Sequence, residues 1–165
     1  LMKPAEAVRR EGIILLHSMT KRYAVPGLRI GFITASASII SNLRIQYRPW
    51  AVNALAIEAA KWLIAEKSEV IPSLTQYLQE TRRLRNMLSA LPEVTAFDSQ
   101  TTFFLCTIKT ATAAELKNYL ANEWGMLIRD ASNFKGLTPH HFRIATQTPT
   151  CNDALVEAIR KFCSL

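Results

Sequence analysis

From about Ser68 to Leu91 the chain carries apolar residues at helical spacing, with a proline near each end. Leu74, Leu78, Leu84, Met87 and Leu88 form one stripe. Pro72 falls where a first helical turn tolerates proline, and Pro92 ends the pattern. A helix of this length with a single apolar stripe has to lie against other elements. It also separates two stretches of chain with different rhythms.

Upstream, residues 1–11 read as polar and helical. The run Ile13-Ile14-Leu15-Leu16 after Gly12 reads as a buried strand, followed by a polar turn over residues 17–21. Pro26-Gly27 marks a turn, and Leu28 to Ile33 predicts a second strand. Ser36 or Ser38 is a candidate cap for a helix reaching Ile45, and Val52 to Glu66 has helical periodicity. Downstream, Val94–Phe97 and Phe103–Ile108 read as strands. Thr112–Trp124 reads as a helix stopped by Gly125. Met126–Arg129 and Phe142–Ala145 read as strands, and Asn152–Phe162 as a closing helix. The chain is therefore expected to divide into residues 1–66, a connecting helix over 67–91, and an α+β lobe over 92–165 with an antiparallel or mixed sheet. The two apolar strands near residues 13–16 and 28–33 are too apolar for free edges, which predicts self-association.

The 165 residues include 20 Lys and Arg against 13 Asp and Glu, a net charge of +7. The densest basic group is Arg82, Arg83 and Arg85, and no long like-charge block occurs. That spread suits small anionic substrates and argues against nucleic acid. No apolar run approaches the roughly 18 to 20 residues of a membrane span. Cys106, Cys151 and Cys163 form neither a CxxC pair nor a metal-ligand spacing, so no metal is expected. Free thiols suit a reducing cytoplasm.

The chemistry-bearing segment runs from Ser18 to Phe32. A hydroxyl residue stands three before Lys21, and Arg29 eight after it, on a strand–turn–strand. A lysine amine forms a Schiff base with an aldehyde cofactor once its pKa is lowered. A serine hydroxyl and an arginine fork suit a phosphate. Gly27 and Gly31 permit close backbone approach. The bland reading is a surface lysine in a turn and an arginine paired with some carboxylate.

Ser18-x-x-Lys21 followed by Pro26-Gly27-Leu28-Arg29-Ile30-Gly31 resembles the class I/II aminotransferase superfamily of fold-type I pyridoxal-phosphate (PLP) enzymes. The resemblance implies an α/β fold, the C-terminal portion of a fold-type I PLP-dependent transferase. Residues 1–66 would be a fragment of the large cofactor-binding domain, and residues 92–165 the small α+β domain. It implies PLP as cofactor, Lys21 as its covalent lysine, and Ser18 and Arg29 as ligands of its phosphate. Arg48-Pro49-Trp50-Ala51-Val52-Asn53 resembles the family's turn into the next helix, which packing and capping explain equally well. Arg143, in Phe142-Arg143-Ile144-Ala145, matches the arginine that grips a substrate α-carboxylate. In Arg129-x-x-x-Asn133-Phe134-x-Gly136-Leu137 the chain is similar to the branch holding threonine-phosphate decarboxylases and histidinol-phosphate aminotransferases. There Arg129 would meet the substrate's phosphate, with Asn133 beside it.

The decarboxylase resemblance, with its implied place in cobalamin biosynthesis, is stronger than that to the histidine-pathway aminotransferase. A PLP-sensing regulator is a third option. A small phosphorylated amino-acid substrate and a homodimer are implied. The resemblance departs at Thr102-Phe103, where the family often has Asn before the aromatic residue. The chain also opens at Leu1-Met2 without the family's Gly-rich phosphate turn, ring-stacking aromatic and ring-pairing aspartate. By this reading it is a C-terminal piece, inactive alone.

Overall fold

The computed structural model describes residues 2–65 and 73–164. Two units are distinguished, residues 1–72 and 73–165. Residues 66–72, where the sequence places the start of the long helix, lie outside the described residues.

In the first unit the elements are α1 (Pro4–Val8), β1 (Ile14–Ser18), α2 (Met19–Arg22), β2 (Gly31–Ala35), α3 (Ala37–Ile45) and α4 (Ala54–Ala65). β1 and β2 pair antiparallel, with Ser18 opposite Gly31 and Ile14 opposite Ala35. Gly31 is required by this pairing, because a Cβ there would lie 2.6 Å from the His17 carbonyl oxygen. The expected strand from Leu28 starts three residues late. Pro26–Leu28 form a 3₁₀ turn, and Arg29 adopts a left-handed backbone at φ 47°, which breaks an extended run. The expected polar turn over 17–21 is instead a strand end followed by one helical turn. Met19, Ala60 and Leu63 bury together, with Tyr23, Val25 and Ile30 against them.

Ser36 occupies the N-cap of α3, yet its hydroxyl donates to Glu11 rather than to the helix backbone, at 3.1 Å. Asn53 does cap α4, accepting from the Ala56 N–H at 2.8 Å.

The second unit comprises α5 (Leu74–Ser89), β3 (Val94–Ala96), β4 (Phe103–Ile108), α6 (Ala113–Trp124), β5 (Arg129–Asp130), β6 (His141–Ala145) and α7 (Pro149–Cys163). The strands make one antiparallel sheet in the order β3-β4-β6-β5. Burial alternates along β4 and β6, so Phe104, Cys106, Ile108, Phe142 and Ile144 face inward. The apolar stripes of α5, α6 and α7 join them in a single core. Thr112 and Glu115 form a capping box that starts α6, and Gly125 at φ 62° ends it. α7 begins three residues earlier than its periodicity suggests, because Thr148 caps it and Pro149 fits its first turn. The strand expected from Met126 shrinks to Arg129 and Asp130. Met126 is still tied to the end of α6 through Leu120, and only the last residues reach β6.

A polar network ties α5 to the start of α7. Asn152 is fully buried; its amide donates to Glu80 at 2.8 Å and to the Gln147 carbonyl at 3.0 Å. Glu80 accepts two bonds from Arg83 at 2.8 Å, and Arg83 also meets Asp153 at 2.6 Å. Thr146 donates to Thr81 at 2.9 Å.

Truncating the inward-facing aromatic of β6, Phe142→Ala, should cost the second unit about 3–5 kcal/mol, read as a shifted urea midpoint. The Arg83 hydrogen bonds hold the Glu80 carboxyl below its ordinary 4.5, with the Asn152 bond and the Arg83 charge adding to this against burial. A depressed carboxylate stabilises the fold above its unfolded pKa, and that contribution disappears as pH falls through the lower folded value. Urea midpoints measured from pH 7 to pH 3 should therefore fall more gently for Glu80→Gln than for the unsubstituted protein; parallel curves would remove Glu80 as a source of acid sensitivity.

Candidate functional site

In the first unit the hairpin register gathers the candidate residues at one end. Ser18 closes β1, Lys21 follows on α2, and Arg29 lies two residues before Gly31, the partner of Ser18. All three side chains are exposed. The Ser18 and Thr20 hydroxyls are 2.9 Å apart, and Arg29 donates to the Pro26 carbonyl at 3.1 Å. Arg22 stacks over Tyr23 at 5.7 Å. Among the described residues neither Lys21, Arg22 nor Arg29 has a carboxylate partner. Glu11, bound to Ser36 and Ser38, lies beyond the other end of the hairpin. A hydroxyl and cations without carboxylate partners, carried by neighbouring backbone, are groups of the kind that suit a phosphate. An open cleft of about 690 Å³ runs beside it, with Ser18, Met19, Arg22, Tyr23 and Phe32 in its wall; Lys21 and Arg29 are not in that wall.

In the second unit the outer face of the sheet carries the other candidates. Arg129 on β5 stands directly opposite Arg143 on β6, so the two side chains share one face. Both are exposed, and neither forms an ion pair among the described residues. Arg143 lies over the Phe103 ring at 5.0 Å. Arg129 lies over Phe134 at 5.6 Å and donates to Asn133 Oδ1 at 3.4 Å. Asp130 does not neutralise its neighbour. It accepts from the Ser132 N–H at 2.9 Å, and hydrogen bonding by Ser132 holds its carboxyl below the usual range, with Lys117 and Arg129 contributing less. Two arginines in register repel, and an open sheet face that holds them without an ion-pair partner suits an anion.

The motifs placed Phe134 after Asn133 and Phe103 after Thr102, but gave neither ring a role; that each receives a guanidinium appears only in the structure. Cys106 is no nucleophile: burial pushes its thiol well above the usual range. No metal-binding group of His, Cys, Asp or Glu occurs among the described residues, and no helix there is long and apolar enough to cross a membrane.

A four-stranded antiparallel sheet under three helices, preceded by a hairpin with a serine–lysine turn, has the fold of the fold-type I PLP-dependent transferases. The chain belongs to the aminotransferase class I and II family, whose model matches residues 3–159. It is similar to the L-threonine-O-3-phosphate decarboxylase of Porphyromonas gingivalis, with 39% identity and a TM-score of 0.93 over 100% of this chain and 51% of that one. It also resembles the histidinol-phosphate aminotransferase of Clostridium acetobutylicum at 25% identity and TM-score 0.83, covering 98% of this chain and 49% of that one. A threonine-phosphate decarboxylase of Salmonella typhimurium is 29% identical over 149 residues, 90% of this chain and 40% of the relative. The chain thus spans about half or less of each of these relatives.

Because Arg129 and Arg143 repel when no anion lies between them, Arg143→Gln should leave the second unit at least as stable at low salt. The difference in urea midpoint should shrink as salt is added; a clear loss of stability would show that the contact of Arg143 with the Phe103 ring outweighs the repulsion.

Proposed function

We propose that this chain supplies part of the active site of a PLP-dependent enzyme acting on a small phosphorylated amino acid, as a threonine-phosphate decarboxylase does. The observation that carries this is the opposed pair Arg129 and Arg143, neither in an ion pair among the described residues, on a chain 39% identical to such an enzyme. Arg143 grips the substrate's α-carboxylate, for which a planar guanidinium offers two parallel N–H donors. Arg129, steadied by Asn133, meets the phosphate. PLP, when bound, supplies an electron sink that eases breaking a bond at the substrate's α-carbon. Lys21 would hold it through its aldehyde, and the same amine could move a proton at the substrate's α-carbon. Ser18 and Arg29 donate to its phosphate. The left-handed backbone of Arg29 supports such a role, since strain of this kind collects at functional positions.

The second reading is a histidinol-phosphate aminotransferase, favoured by the similarity to the Clostridium enzyme. The decarboxylase reading rests on the higher identity and on Arg129-x-x-x-Asn133-Phe134-x-Gly136-Leu137. It places the protein in cobalamin biosynthesis, in the cytoplasm and as a homodimer. The exposed Leu16, Leu55 and Trp50, at 81%, 80% and 97%, support further chain covering the first unit in the whole enzyme. On this reading catalysis needs residues beyond this chain.

Incubation with PLP, borohydride reduction and peptide mapping should place the cofactor on Lys21. Labelling spread over many lysines would sink the reading. Lys21→Ala should abolish the label. Arg29→Ala should keep it but weaken cofactor uptake about ten- to a hundredfold, the loss of one charge-assisted set of hydrogen bonds.

A further inference from the structure

We infer that Phe103 and Phe134 are positioning residues, each holding one guanidinium so that the sheet face takes a ligand carrying a carboxylate and a phosphate together. The inference rests on the assignment of Arg143 to the carboxylate and Arg129 to the phosphate. Direct cross-strand partners have Cα atoms roughly 4.5–5.5 Å apart. From there two free guanidinium groups would swing apart into water, and each would have to be re-ordered at every binding event. Instead each lies over its own ring. Arg143 leans toward β4, the neighbour of β6 on the side away from β5, because Leu105 is its direct partner and Phe103 its diagonal one. Arg129 leans over Phe134 in the turn that follows its own strand, and Asn133 holds its edge.

Neither ring is explained by burial. Phe103 and Phe134 are 44% and 40% exposed, and neither is part of the core under the helices. A planar cation lying over an aromatic face keeps its N–H edge free, and that edge is what a carboxylate or phosphate needs. The two platforms also hold the cations at separate places, which selects a ligand with two anionic ends over one with a single anion.

The test is an NMR titration of the protein with three ligands: O-phosphothreonine, threonine and O-phosphoethanolamine. Phe103→Leu should weaken O-phosphothreonine and threonine about two- to fivefold and leave O-phosphoethanolamine unchanged. Phe134→Leu should weaken O-phosphothreonine and O-phosphoethanolamine and spare threonine. Phe103→Tyr and Phe134→Tyr should restore binding, with melting temperatures unmoved throughout. A phenylalanine variant that weakens all three ligands alike, or none, overturns the inference. Arg143→Gln and Arg129→Gln report on the underlying assignment. If these show the expected anion selectivity while the phenylalanine variants do not, the inference alone falls. If the arginine variants show no selectivity, or the unsubstituted protein takes up none of the ligands, the assignment falls as well.

Discussion

The one-sided burial of the β3-β4-β6-β5 sheet organises the second unit. Three helices offer apolar stripes to the same face, and the alternation along β4 and β6 commits Phe104, Cys106, Ile108, Phe142 and Ile144 to it. A strand's period of two then leaves the intervening residues no choice. Phe103, Leu105, His141 and Arg143 stand on the other face, and β5 adds Arg129 in register with Arg143. The arginine pair stands on the reverse side of the hydrophobic core. A one-residue slip of β6 would bury a guanidinium and destroy both at once.

Polar groups within this core are held to the same standard. Asn152 is buried, and its cost is offset because Glu80 and the Gln147 carbonyl take both its N–H donors while the Gln147 N–H reaches its Oδ1. Arg83 in turn neutralises Glu80 and Asp153. Of the basic group at residues 82–85, Arg83 therefore serves the fold, pinning α5 to α7, while the unpaired arginines of this unit's site, Arg129 and Arg143, lie on its strands. Net charge could not separate these two uses; the presence or absence of a nearby carboxylate does.

The first unit works by a different constraint, the tightness of one hairpin. Gly31 admits the His17 carbonyl, and the turn before it forces Arg29 into a left-handed conformation. Ser18, Lys21 and Arg29 share a hairpin end as a result. Its hydrophobic cluster is small, and large apolar side chains remain open to solvent, which is why its strand Ile14–Ser18 is only half covered.

Local chemistry along the chain determined much of this. Helix stops at Pro92 and Gly125, the start of α6 at Thr112, the period-two burial of β4, and the Ser18-x-x-Lys21 motif are all written in adjacent residues, because capping, turn geometry and strand alternation act over a few positions. Tertiary structure alone decided what depends on residues far apart in sequence. The left-handed Arg29 that delays β2, the shortening of β5 to two residues, the register that opposes Arg129 and Arg143, and the rings that receive them follow from which strands pair and how closely. Periodicity shows that a residue faces outward. It does not show what stands beside it on the neighbouring strand, because register is set by the packing of the opposite face.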